Sequence, residues 1–414
     1  MTDPAPDVLA PATLGPVQLR NRVIKSATFE GASPEALVSD RLIDYHLAVA
    51  EGGVGMTTVA YLAVSPEGRT HAEQIWWRPE ALYGLRRLTE AVHATGAKVS
   101  AQIGHAGPVA NGQYGHPSLA PSRSFNPLAM RFHRAPTETD IDRIVADHGE
   151  ATRMAIEAGF DAVEVHLGHN YLASAFLSPK LNRRKDAFGG SLVNRAEFPR
   201  RILAAVRRAA GDQIAVTAKL NMKDGYRGGF DIPDSIPFAR MLEADGHLDA
   251  LELTGGSSLM NPMYLFRGGA PVKEMATNMP MPALLRLGIR AVGKGFFKEY
   301  PWEPLYFLEY AKKFRTALSM PIILLGGITD RAAMDTAMAE GFDFVAMGRA
   351  LLREPDLINR IAATVDSGAP VVSKCIHCNL CMSTIYPGTH CHLDDEHVYG
   401  TPLPIHDPLL KAGA

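Results

Sequence analysis

Apolar residues along this chain recur in two alternating rhythms. Short β-rich runs near Val23–Phe29, Val54–Val64, Lys98–His105, Ala162–His169, Ile214–Asn221, Ala250–Gly256, Pro321–Ile328 and Phe344–Leu351 predict eight strands. Helical periodicity fills the intervals, as over Leu42–Glu51, Glu80–Ala94, Thr137–Ala158, Ala196–Ala209, Pro304–Leu318 and Ala332–Glu340. Strand and helix alternate throughout, with no all-β or all-α region, so the pattern predicts an α/β fold, a (β/α)8 TIM barrel, ahead of a doubly wound open sheet. Turn signals at Leu14-Gly15 and Asn21-Arg22 set off an N-terminal plug beneath it. The barrel is expected over residues 1–366, with a long insertion at 255–303 before the seventh strand, and a cysteine-containing segment follows at 367–414.

Strands of a parallel barrel are covered on both faces, so polar residues near their C-terminal ends need a reason. Here they recur at period two: Ser26, Thr28 and Glu30; Ser100 and Gln102; Glu164 and His166; Thr217, Lys219 and Asn221; Glu252 and Thr254. Alternate positions point to the axis, and the spacing predicts one polar well at the barrel's catalytic face. Strands seven and eight end differently, in Leu325-Gly326-Gly327-Ile328 and Met347-Gly348-Arg349. Glycines, a fixed positive charge and Thr329 or Asp330 as a helix cap suit a phosphate there.

Composition narrows the partners. With 414 residues and 46% hydrophobic content the chain can bury a large core, and 42 basic against 44 acidic residues leave a net charge of -2. No global field argues for nucleic acid or an anionic membrane, and a small-molecule substrate is the expectation. The first residues, MTDPAPDVLAPATLG, lack a basic and an apolar leader region, and no stretch of eighteen residues is free of polar interruption. A cytoplasmic protein without a transmembrane segment is expected.

The densest chemistry lies in VEVHLGHNYLASAFLSPKLNRRKDAFGGSLVNR, from Val163 to Arg195, where His166, His169 and Tyr171 fall within six positions at a strand end. Two imidazoles can donate to one oxygen and a phenol can give a proton, which suits polarising a carbonyl while a nearby carbon is protonated. The same histidines could instead be satisfied polar residues at a strand end. With this block, LGPVQLRNRVIKSATFEG at 14–31, AQIGHAG at 101–107, and ILLGGI with FVAMGRALL resemble the Old Yellow Enzyme family of FMN-dependent NADH:flavin oxidoreductases. The resemblance runs from about Leu14 to Arg360. It implies FMN across the barrel mouth, its phosphate on Gly327, Gly348 and Arg349, its pyrimidine end toward Gln102 and Lys219, and Ala60 with Ala27 and Thr28 along the isoalloxazine edge. It further implies NAD(P)H as reductant, His166 and His169 as the grip on the substrate oxygen, and Tyr171 as proton donor. The reaction expected is reduction of the activated C=C bond of an α,β-unsaturated carbonyl compound. Lys219 stands where many members carry Arg, a compact charge in place of a planar fork, unless it serves only to pair with Glu164 or Glu252. Phe29 departs from the small polar or sulfur residue of several relatives. Asn182, Arg183, Arg184, Asp186 and Gly189-Gly190-Ser191 also match, and are assigned to loop structure and capping.

All four cysteines lie together, Cys375, Cys378, Cys381 and Cys391, in the spacing C-x2-C-x2-C-x9-C. The triplet resembles the iron-sulfur segment of the family's 2,4-dienoyl-CoA reductase and trimethylamine dehydrogenase branch, which implies a [4Fe-4S] cluster. The short interval to Cys391 departs from that branch; zinc, with His377, His390 and His392 available, and free thiols stay open. Members of that branch continue into FAD and dinucleotide-binding domains, whereas no GxGxxG follows a strand in this tail. A cluster would then serve an outside electron-transfer partner, or structure.

The insertion carries Met260, Met263, Met275, Met279 and Met281 beside Tyr264, Phe266, Phe296, Phe297, Tyr300 and Trp302. Such side chains suit a bulky apolar or acyl ligand, and equally a contact between copies of the chain in a homo-oligomer or a self-packed subdomain. Arg290, Lys294 and Lys298 leave weak contact with a membrane surface open. Two other functions fit the same residues. One is a dehydrogenase passing electrons through the cysteines to a separate redox partner. The other is a barrel lyase or isomerase of a phosphorylated metabolite, with Lys219 forming a Schiff base.

Overall fold

The computed structural model describes residues 5–110, 118–126, 131–278, 293, 297–365, 367–385 and 388–393. Strands β1 (Ala12–Leu14) and β2 (Val17–Leu19) form an antiparallel hairpin. Eight parallel strands follow around a closed barrel: β3 (Val23–Lys25), β4 (Met56–Ala63), β5 (Lys98–Gly104), β8 (Ala162–Leu167), β9 (Ala215–Lys223), β10 (Ala250–Gly255), β11 (Ile322–Leu325) and β12 (Phe344–Met347). The last pairs with the first, Val345 opposite Val23 and Met347 opposite Lys25, and the barrel closes. A second hairpin, β6 (Ser124–Asn126) and β7 (Arg131–His133), interrupts the connection after β5. Each predicted strand is a barrel strand, and the open-sheet alternative is excluded.

The plug is present as expected. Leu14, Val17 and Leu19 close the barrel floor against Ile24, Met56, Ala162, Ala215, Ala250 and Ala346. Alanines at that end of the strands leave the space into which the hairpin's larger side chains pack.

Outer helices form where an apolar stripe meets a cap. Over Glu138–Glu157, Ile141, Ile144, His148, Ala151, Thr152 and Ala155 face inward at helical spacing, and Thr137 with Asp140 closes a capping box. Asp330 accepts from Ala333 N at 2.8 Å and starts the helix Arg331–Ala339, which decides between the two expected caps. Ser191 caps Leu192–Ala210 in the same way, and Asn182 donates to the carbonyls of Phe176 and Phe188, so that matched block is loop structure and capping. Among the described residues no helix is long and apolar enough to cross a membrane.

Within the insertion, Met263, Val272, Met275 and Phe297 pack with Met382 of the C-terminal segment into a small core of their own, while Phe266 and Trp302 turn toward the barrel mouth. Met279, Met281, Arg290, Lys294 and Phe296 lie outside the described residues.

Candidate active site

Side chains from three strands and from the residue after a fourth gather around one buried charge on a fifth. The Lys219 ammonium lies 2.8 Å from Glu252 Oε1, 3.3 Å from Glu164 Oε1 and 3.0 Å from Ser26 Oγ. Ser26 donates to Glu252 at 2.9 Å, and Gln102 Nε2 donates to Glu164 at 2.7 Å. All five residues are buried. Burial pushes the Glu164 carboxyl up to about 8, with Glu252 adding to it against the pull of Lys219. Burial opposes the Lys219 charge, yet Glu164 and Glu252 outweigh it and raise the group above its ordinary value. Two carboxylates near one ammonium thus hold the lysine charged and one proton on the carboxylate pair. A Schiff-base role needs a neutral amine, and this setting works against it.

The period-two reading holds for this well with one exception. Glu30 leaves the axis, 3.3 Å from Lys25 Nζ and 3.5 Å from His46 Nε2, and accepts from Ala60 N at 3.2 Å. Lys25 and His46 escaped the sequence reading because each sits on a face expected to be apolar.

Beside the well opens a cleft holding about 680 Å³ of empty space. Ala27, Thr28, Lys219, Gly327, Gly348 and Arg349 line it together, joined by His169. Ala60 lines a separate, smaller cavity with Phe29, and Gln102 lies beneath, against Glu164. Gly348 has open space where a side chain would stand, its nearest neighbour being Thr28 Cγ2 at 3.7 Å. Gly327, at φ +77°, needs the left-handed region, and a Cβ there would lie 2.5 Å from Leu305 N.

His166 and Tyr171 pack together with His169, which alone of the three lines this cleft. Ring centroids lie 5.1 Å apart for the two histidines and 4.4 Å apart for His166 and Tyr171. Gly168 N donates to His166 Nδ1 at 3.3 Å, which leaves the proton of the neutral ring on Nε2. Burial holds His166 well below the usual imidazole range, aided by His169 and Lys219, and burial with Lys219 lowers His169 to about 3. Both rings are therefore neutral near pH 7.

Their convergence depends on backbone. His169 and Asn170 both adopt the left-handed region, at φ +57° and +60°. For residues other than glycine this costs about 1–2 kcal/mol each, which the surroundings must offset. Asn221 Oδ1 accepts from His169 N at 3.1 Å, Asn170 Nδ2 donates to Asp224 at 3.1 Å, and Asn221 Nδ2 ties both to Asp224 at 2.8 Å. The AQIGHAG segment supports the far side, where His105 O accepts from Leu172 N at 2.9 Å. Gly107 presses so closely that a Cβ would lie 2.7 Å from Leu172 Cα. Asn170 and Asp224 were not foreseen; the paired left-handed residues that require them have no signature in residue type.

The cysteine segment packs on the same rim. All four thiols are free and partly buried, and burial pushes Cys381 up to about 12. Among the described residues no three His, Cys, Asp or Glu side chains are gathered closely enough to hold a metal ion. Cys375 feels the charge of Cys378 and Cys391, and Cys381 that of Cys375, Cys378 and Cys391.

Residues 7–252 match the model of the NADH:flavin oxidoreductase / NADH oxidase family. The chain belongs to this family. As a member it is a flavin-dependent oxidoreductase. It is 53% identical over 396 residues to the 4,4'-dithiodibutanoate disulfide reductase of Rhodococcus erythropolis, covering 95% of this chain and 96% of that protein. It is 31% identical over 375 residues to the metal reductase of Desulforamulus reducens, covering 90% of this chain but 50% of that protein. Among solved structures, 2-naphthoyl-CoA reductase aligns with a TM-score of 0.76 at 25% identity, covering 92% of this chain and 55% of that one. The chain thus spans about half the length of those last two relatives.

The cleft suits the family's FMN. A fixed cation, two strand-end glycines and a lysine lie along one opening, and Trp302 on its wall carries a buried indole N–H with no partner among the described residues. An unpaired buried donor asks for an acceptor from a ligand.

Two outcomes follow from this geometry. Because the folded Glu164 keeps its proton to about pH 8 whereas an exposed glutamate releases it near 4.5, its contribution to stability is present below pH 4.5 and is lost as pH rises toward 8. Denaturant titration of the flavin-free protein should show that decline in the wild type, relative to a Glu164→Gln variant that lacks it; parallel pH profiles would remove the protonated carboxyl. Asn221→Ala should cost about 1–3 kcal/mol in the same measurement, since it strands the His169 N–H and one side of Asp224.

Proposed function

We propose that this chain is a cytoplasmic, FMN-dependent NAD(P)H reductase that saturates activated C=C bonds of α,β-unsaturated carbonyl compounds. The observation that carries the reading is the contact of two neutral imidazoles and a phenol beside a cleft suited to flavin. Phosphate would rest on Gly327, Gly348 and Arg349, with the pyrimidine end toward Lys219 and Gln102 and the ring edge along Ala27, Thr28 and Ala60. FMN supplies hydride taken from NAD(P)H. His166 and His169 would each give one N–H to the substrate oxygen; being neutral, they strengthen those bonds as the oxygen gains charge. Tyr171 would pass its proton to the α carbon and recover one from solvent, which its partial exposure permits. Alkene, NAD(P)H and one proton thus give the saturated product and NAD(P)+. Leu265, Phe266 and Trp302 on the cleft wall suit an apolar or acyl tail.

A second reading is favoured by the extent of identity with the Rhodococcus disulfide reductase. An organic disulfide would accept the same two electrons, the S–S bond breaking to one thiol and one thiolate, which Tyr171 would protonate. The donor chemistry of the four cysteines supports a [4Fe-4S] cluster as a separate redox group serving an electron-transfer partner; iron and acid-labile sulfide in anaerobically purified protein measure it directly.

Purified protein should be yellow and should bleach with NAD(P)H in the absence of oxygen; a colourless protein that refuses FMN would end both readings. His166→Ala and His169→Ala should each slow reoxidation by an enone by about 10²–10³-fold while flavin reduction changes far less. Equal losses in both half-reactions would remove their role. Tyr171→Phe should slow alkenes but spare quinones, which need no proton from it. Comparing kcat/KM for a cyclic enone with that for a linear disulfide dicarboxylate separates the two substrate classes.

A further inference from the structure

The C-terminal segment does more than carry cysteines. Arg349, immediately after β12, has no carboxylate partner among the described residues; its Nη1 donates to the backbone oxygen of Arg267 at 3.0 Å and to Asn379 Oδ1. Asn379 is 1% exposed, sits at φ +61° between Cys378 and Cys381, and donates through Nδ2 to Gly269 O at 2.7 Å. That donation fixes which end of the amide faces the guanidinium. His377 locks the same turn: its carbonyl accepts from Gly269 N at 3.1 Å, and its ring stacks on Trp302 at 3.8 Å with planes 7° apart. Gly268, at φ +114°, admits this approach, since a Cβ there would lie 2.2 Å from the His377 oxygen.

An arginine held by neutral acceptors keeps its charge available, whereas one paired with a carboxylate does not. Both acceptors here are neutral, as is the Tyr306 hydroxyl that Arg349 also contacts, and Arg349 faces the cleft beside Gly348 and Gly327, where barrels of this kind take phosphate. Resting on the FMN reading above, we propose that Asn379 is a cofactor-positioning residue that aims Arg349 at the flavin phosphate, so that the C-terminal segment sets the preference for FMN over unphosphorylated riboflavin. Asn379 does not touch the redox ring. It acts through Arg349.

The test compares affinities of the full-length chain, stripped of flavin, for FMN and for riboflavin by quenching of flavin fluorescence. Asn379→Gly keeps the left-handed turn and deletes only the amide, so FMN binding should weaken by about ten-fold while riboflavin binding stays within two-fold. Asn379→Asp, which offers Arg349 a competing anion in nearly the same shape, should weaken FMN further and still spare riboflavin. Equal weakening of both flavins would assign Asn379 a purely structural role, and unchanged FMN affinity in both variants would equally overturn the proposal. A wild-type chain that binds neither flavin would sink the FMN reading itself, and this inference with it.

Discussion

A charged amine on the axis of a barrel is tolerated only where carboxylates reach it, because transfer of an ion from water to protein costs several kcal/mol even after relaxation. Lys219 meets that condition through Glu164 and Glu252, and Ser26 and Gln102 satisfy what remains of the two carboxylates. These groups come from β5, β8, β9 and β10 and from the residue after β3, so more than half the barrel is referenced to a single ammonium. Removing one partner would strand a buried charge, typically at about 3–5 kcal/mol. The same pairing would alter what the lysine offers a flavin seated beside it. An isolated cation would pull on the reduced ring with its full charge, whereas this one is already shared, with a protonated carboxyl close by. The field at that end of the cleft is softer than replacement of arginine by lysine alone would make it.

The opposite end of the cleft is built by parts of the chain far apart in sequence. Residues 377–385 reach from Trp302 and Arg349 toward the loop after the first barrel strand, where Thr389 N donates to Glu30 O at 2.7 Å and Gly31 lies against Ile385. The described residues of this segment thereby touch the rim both after strand eight and after strand one. A segment that supplied only metal ligands would not need to hold both Arg349 and the Phe29–Gly31 backbone, and this one does. The cysteine segment and the mouth of the cleft are mechanically joined.

Much of this arrangement was legible in the order of residue types. Eight apolar runs gave eight strands because a parallel barrel buries both strand faces, and period-two polar residues gave Lys219, Glu164, Glu252, Gln102 and Ser26 because nothing else accounts for polarity there. Glycines after strands seven and eight, with Arg349, are brought together along one cleft for the same kind of reason. What escaped depends on backbone conformation or on distance along the chain. Paired left-handed residues at His169 and Asn170 carry no signature in residue type, and the contact between Asn379 and Arg349 joins segments with no shared pattern. Glu30 was misassigned because the strand ends at Lys25, and alternation ceases to report direction once the chain leaves the sheet.

That misassignment bears on the flavin's edge. The amide of Ala60, which the family resemblance turns toward the isoalloxazine, here donates to both Glu30 oxygens at 3.2 Å. A flavin seated against Ala60 would have to take this donor from a carboxylate. The exchange leaves no orphaned charge, since Glu30 keeps Lys25 at 3.3 Å and His46 at 3.5 Å whether or not the amide is retained. The phenyl ring of Phe29, 4.9 Å from His71, adds no hydrogen bond of its own to the ring system. The edge of the redox ring would therefore lie near an anion balanced by a buried ammonium, in place of the small polar or sulfur side chain of several relatives. A negative group close to the ring resists its gaining electrons and favours passing them on, while Lys25 moderates the effect. With a flavin so seated, Lys219 at one end and the Lys25–Glu30 pair at the other would act in opposite senses on the same ring.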